Sequence, residues 1–201
     1  MKKLILSLVM ATTIANGAFA QNEEKKTSFG VKAEVNSNFY LSSDNPLVSE
    51  TSNGFGANAG VFMKSNITNN LAFQVELLAQ YRNADFSILG KEQTMTNWGI
   101  EVPAYIMGQF AMGNGRFFFG AGPYGTAGIS AKMSGVDMYE ENNGVFTLTR
   151  WNLGVGMLVG IELGCGLQFN INYKYGMFNS YYDNEGNLVE NTATIGLGYR
   201  F

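Results

Sequence analysis

From residue 28 onward the chain alternates: apolar side chains recur at every second position, with polar or small residues between them. About eight such segments lie near 28–42, 54–66, 70–83, 95–112, 115–133, 148–164, 166–179 and 191–201. Period two is the mark of a β-strand with two unlike faces. In the seventh segment one face is Leu167, Phe169, Ile171, Tyr173, Tyr175 and Met177, and the other is Gln168, Asn170, Asn172, Lys174 and Gly176. The connections alternate in length. Asn66–Asn70, Ala111–Gly115 and Gly164–Gly166 are short, whereas Ser42–Asn53, Asn83–Thr94, Ser134–Thr147 and Ser180–Glu190 are long. The pattern predicts an all-β, eight-stranded, antiparallel up-and-down barrel with tight turns at one end and loops at the other, formed by residues 28–201 as one domain.

Alternation alone does not say which face points outward. The composition of the polar face does. A face washed by solvent is dense in Lys and Glu, yet this one is mostly Gly, Asn and Gln, which suits a narrow, tightly curled interior. Charged residues make up 14% of the chain, against about 25% in ordinary soluble domains. The aromatics on the apolar face sort by depth. Phe29, Phe73, Phe110, Phe117, Phe119, Phe169, Tyr199 and Phe201 fall near the short-turn end, and Phe39, Phe55, Tyr81, Trp98, Trp151 and Tyr175 near the long-loop end. Two aromatic belts around an aliphatic band are what the two interfaces of a bilayer select. The barrel is therefore expected to span a membrane, with lipid as its first partner.

The chain ends carry addressing signals. Met1-Lys2-Lys3, an apolar run from Leu4 to Ala11, and Ala18-Phe19-Ala20 read as a secretory signal peptide over 1–20, followed by a short lead-in over 21–27. The last strand, Asn191-Thr-Ala-Thr-Ile-Gly-Leu-Gly-Tyr-Arg-Phe201, ends on an aromatic. It resembles the closing strand of bacterial outer-membrane barrels. That likeness implies that Tyr199 and Phe201 form an assembly signal read by the barrel-assembly machinery; with an even number of strands both termini are expected on the short-turn, periplasmic side. A net charge of −3 and the lack of a basic patch argue against nucleic acid. Cys165, between two glycines, reads as a turn residue.

Two motifs carry a finer likeness. Asn97-Trp-Gly-Ile-Glu-Val-Pro-Ala-Tyr-Ile-Met-Gly-Gln-Phe110 and Arg116-Phe-Phe-Phe-Gly-Ala-Gly-Pro-Tyr-Gly125 resemble consecutive strands of the PorT-like outer-membrane β-barrel family, and Leu153–Gly176 resembles its next two. In size and layout the chain is also similar to the small OmpA/OmpX-type barrels. The PorT likeness implies the fold and an accessory part in envelope transport or secretion; it implies no chemistry.

The chain contains no His. Lipid A deacylases, outer-membrane phospholipases and omptin-like proteases, which rely on a His general base, are therefore disfavoured, as are imidazole metal sites. No enzymatic activity, cofactor or metal is expected. The ionisable residues on the inward phase are Lys32, Glu34, Glu76, Glu101, Glu162, Lys174 and Arg200, with Arg82, Arg116 and Lys132 near the rims. In so narrow a space carboxylates and cations must pair, so they are expected to form a structural charge network. Pro103 and Pro123 lie inside strands and are expected to mark bulges or irregular pairing. The long loops are acidic, with Asp44, Glu50, Asp85, Glu92, Asp137, Glu140, Glu141, Asp183, Glu185 and Glu190. Asp183–Asn187 is faintly like the start of a calcium loop but lacks its distant bidentate Glu. Tyr139, Tyr181 and Tyr182 beside these acids are candidate contacts for an unknown protein or small-molecule partner. The sequence thus predicts a monomeric outer-membrane barrel with a structural or surface-interaction role. The alternative is a narrow pore or an accessory of an envelope transport system.

Overall fold

The computed structural model describes residues 27–43, 48–51, 54–88, 91–133, 136–139, 149–177 and 187–201. Among them are eight long strands: β1 (Thr27–Ser43), β2 (Gly54–Asn66), β3 (Leu71–Ile88), β4 (Lys91–Met112), β5 (Gly115–Met133), β6 (Trp151–Glu162), β7 (Leu167–Gly176) and β8 (Asn187–Arg200). Each pairs antiparallel with its neighbours in sequence, and β1 pairs with β8 from Gly30↔Arg200 to Ser43↔Asn187. The sheet therefore closes on itself and has no free edge along these strands. Two short strands, Val48–Thr51 and Val136–Asp137, add to β3 and β5 beyond the barrel.

The stagger follows from the register. From Lys32, paired positions lead one way through Gly60, Leu78, Glu101 and Thr126 to Asn152, and the other way through Gly198 and Gln168 to Glu162. The two routes meet on β6 ten residues apart (162 − 152 = 10). That shear tilts the strands by roughly 40° and leaves an interior just wide enough for side chains.

The short connections are as expected. Gly113 (φ 58°) and Gly166 (φ 90°) take the left-handed conformations that their turns require. The segment 83–94, expected as a loop, is different. The β3–β4 ladder continues through it to Ile88↔Lys91, because main-chain pairing carries on where the residue pattern turns polar. The prolines mark locally irregular pairing and not bulges. The register runs through both without a slip. The ladder opens only locally: the pairs between Val75↔Ala104 and Leu78↔Glu101 are missing, as are those between Pro103↔Tyr124 and Ile106↔Ala121. A residue without an N–H removes a bond but need not add a residue. The actual register shift lies at Trp98/Gly99, where Ile129 is the extra residue on β5.

Outward positions hold the apolar set, including Val35, Val61, Val102, Ile106, Met157, Ile171 and Ile195, all exposed. The described aromatics of both belts stand on this wall. Tyr81 and Trp98 pack with centroids 4.8 Å apart at one rim, and Tyr199 and Phe201 at 5.6 Å at the other. No helix among the described residues is long and apolar enough to cross a membrane; the strands supply the apolar surface.

The interior is filled and divided lengthwise. Along β4, β5 and β6 it is largely apolar: Tyr105, Met107, Phe118, Tyr124 and Leu158 are buried there, joined by Ala72 of β3. Space for the rings comes from glycines on facing strands. Phe118 is the register partner of Gly160 and Tyr124 of Gly154, and a Cβ on either glycine would stand 2.6 Å from the ring. Phe62 covers Gly30 in the same way. On β7, β8, β1, β2 and β3 the inward face is polar apart from Phe62, Leu78 and Ala72.

Candidate functional site

Seven side chains form an alternating file of charge up the polar side of the lumen: Glu76, Lys32, Glu34, Lys174, Glu101, Arg82 and Glu190. The Lys32 ammonium lies 2.9 Å from Glu76 and 2.7 Å from Glu34. Lys174 is 3.8 Å from Glu34 and also pairs with Glu101. Arg82 is 3.1 Å from Glu101 and pairs with Glu190. Glu76 sits at mid-barrel on β3, Arg82 lies six residues farther along the same strand, and Glu190 is near the loop end of β8, so the file climbs to the long-loop mouth. Neutral donors complete it. Gln74 Nε2 donates to Glu76 at 2.7 Å, Asn172 Nδ2 to Glu34 at 2.7 Å, and Asn58 Nδ2 to Glu34 at 3.1 Å. Side chains this buried are stable as ions only because each has opposite charge and hydrogen bonds around it.

A second, smaller group lies at the short-turn end. Glu162, the last residue of β6, receives Lys64 Nζ at 3.1 Å, Arg200 at 2.9 Å and Gln168 Nε2 at 2.8 Å. Lys64 also stands 5.8 Å from the centroid of Phe118, at the foot of the apolar side.

All seven lumen residues expected from the sequence point inward, but they split between these two groups. Two members, Lys64 and Glu190, were not among the expected lumen residues, and a third, Arg82, was expected only near the rim. Lys64 shares its inward face with Phe62, Asn58 and three glycines, which hid the polar phase of β2. Arg82, expected at the rim, is buried because β3 extends past it. Glu190, expected in a loop, turns inward to meet it. Lys132, by contrast, is exposed rather than luminal. Tyr139 is half-buried instead of forming an open contact. It accepts a hydrogen bond from Asn97 Nδ2 at 3.2 Å and lies under the Arg150 guanidinium, 4.6 Å from its ring centroid. Burial pushes its hydroxyl above its ordinary pKa. Tyr181, Tyr182, residues 183–186 and the chain before Thr27 lie outside the described residues. Phe201 and Tyr199 stand on the outer wall, and the Phe201 N–H donates to Phe29 O at 2.9 Å across the closing seam. Among the described residues no cluster of His, Cys, Asp or Glu is arranged to hold a metal ion.

A closed, filled barrel with an apolar outer wall matches one family model, the outer membrane protein beta-barrel domain, over residues 4–201. The chain belongs to that family. Solved members of the outer-membrane barrel class agree on the fold. OprG from Pseudomonas aeruginosa superposes with a TM-score of 0.55 at 14% identity, over 89% of this chain and 97% of that one. The neisserial surface protein A gives 0.51 at 17% identity, over 87% and 99%. The outer-membrane enzyme PagL gives 0.50 at 12%, over 85% and 98%. At these identities the likeness is one of architecture. No curated protein matches the sequence. In this outer-membrane barrel the charged file is therefore a feature of the chain's own residues.

Proposed function

We propose that this outer-membrane barrel is a non-enzymatic monomer that acts through its long outer loops, in a structural or surface-interaction role, with both termini periplasmic. The observation that carries this reading is the filled lumen, with paired charges on one side and rings seated on glycines on the other. Such an interior supports a rigid scaffold for loops better than a channel. PagL has the fold and is an enzyme. The absence of any His from this chain supports the non-enzymatic reading, since imidazole general-base chemistry is not available to it. The loops would meet a protein or small-molecule partner at the envelope surface. Lipid surrounds the wall, and the barrel-assembly machinery would read Tyr199 and Phe201.

The polar half of the lumen favours a second reading, a narrow path or an accessory part in envelope transport, in keeping with the PorT-like motifs at 97–110 and 116–125. Planar-bilayer recording on the purified protein separates the two. The scaffold reading expects no sustained single-channel steps, and steps of nanosiemens size would overturn it. Affinity capture from native membranes would then identify what the loops hold.

A further inference from the structure

The inner, short-turn mouth of the barrel holds more positive charge than its own carboxylate can use. Three cations end there: Lys64 near the end of β2, Arg116 at the start of β5 and Arg200 at the end of β8. Among the described residues Glu162 is the one acidic side chain at this mouth, and it is already occupied. Lys64, Arg200 and Gln168 all donate to it. Arg116 is the register partner of Glu162 on the adjacent strand, yet it makes no ion pair among the described residues. It is half-buried on the inward phase of β5. Lys64 and Arg200 converge on the two oxygens of that one carboxylate, and Arg116 stands beside it on the neighbouring strand. Lys64 itself is 2% exposed. Like charges held together in a partly dry mouth are costly unless an anion joins them. A guanidinium with unspent, fork-shaped donors matches the oxygens of a phosphate better than chloride.

We propose that the inner mouth is a phosphate-class oxyanion site. In it Arg116 is the principal ligand and Arg200 and Lys64 assist. Glu162 fixes the geometry of the two assisting cations and limits the affinity. The phosphate can come from free solute or from a phospholipid headgroup at the rim. The proposal rests on the charge geometry alone and stands or falls separately from the functional reading above.

The test uses the full folded chain in zwitterionic detergent, titrated calorimetrically with inorganic phosphate against chloride of matched ionic strength. A parallel arm uses phosphatidylcholine discs doped with phosphatidylglycerol, with the lipid retained through delipidation weighed by mass spectrometry. Wild type is expected to bind phosphate in preference to chloride, or to retain phosphatidylglycerol; which arm responds names the source. Arg116→Gln, a change at a half-exposed position, should weaken the response roughly tenfold or more, the worth of a charge-assisted pair. Arg116→Lys should fall between. Glu162→Gln should strengthen it, because Arg200 and Lys64 are released, which a purely structural Glu162 would not do. No response in either arm, or an Arg116→Gln response equal to wild type, overturns the proposal; if Glu162→Gln does not fold, the two Arg116 variants decide it.

Discussion

At the scale of single residues, the lumen makes Glu101 and Gly160 sensitive for opposite reasons. Glu101 holds two cations, Lys174 and Arg82, and its side chain is fully buried. Glu101→Leu leaves both without that carboxylate, and a loss of about 3–5 kcal/mol is expected, the usual cost of breaking one side of a buried pair. Urea-gradient unfolding in detergent checks this, and a loss too small to measure would mean that the file relaxes around the gap. Gly160 fails by excess. Its Cβ would press on the Phe169 carbonyl oxygen and stand 2.6 Å from the Phe118 ring, so Gly160→Ala should cost about 1–3 kcal/mol by overpacking. Phe118→Leu in the same chain should recover part of that loss. A non-additive double-mutant cycle is the signature of direct contact, and simple additivity would rule it out.

At the scale of elements, each strand is a boundary between lipid and lumen, and its two phases are not interchangeable. Val102 is exposed on the outer wall between Glu101 and Pro103, both of which are buried. Val102→Arg should destabilise by about 2–4 kcal/mol if the site lies at the bilayer midplane, measured by reversible unfolding in lipid vesicles. Unchanged stability would contradict the assignment of this face to lipid. Phe201 tests the last element. If it is an assembly signal, its deletion should sharply reduce insertion in cells while refolding into detergent suffers far less, since one rim ring contributes only a few kcal/mol at most. Equal defects in the two assays would make it a packing residue. These elements were legible in the sequence because one phase of each strand is apolar, which is a local property. The pairing was not. Whether Phe118 faces Gly160, or Lys64 meets Glu162 from 98 positions away, depends on the shear of the whole ring and not on any window of residues. The continuation of β3 and β4 past Asn83 was invisible for a related reason. Outside the apolar band nothing rewards alternation, and main-chain bonds alone carry the ladder. Arg82 and Glu190 were misplaced with it, since a residue expected at a loop edge reads as solvated.

At the scale of the molecule, the proposed orientation is open to direct test. Protease added to intact cells should cut in the long loops, near Asn45, Leu89, Glu141 or Glu185, and spare the turns at 66–70 and 113–115. The reverse pattern would invert the topology. The charged file has a consequence for how such a barrel reaches this state. Glu76, Lys32 and Glu34 come from β1 and β3, which lie close together in the chain. Their neighbours do not: Lys174 reaches Glu101 from 73 positions away and Arg82 reaches Glu190 from 108. A sheet lacking its last two strands would present Arg82, Glu101 and Glu162 without their full complement of counter-ions. Such a sheet is penalised wherever it meets hydrocarbon. Complete pairing arrives only when β7 and β8 are seated and the seam between β1 and β8 zips shut. The interior thus acts as a checksum on closure: an incomplete ring, however well its strands are paired, remains electrically wrong.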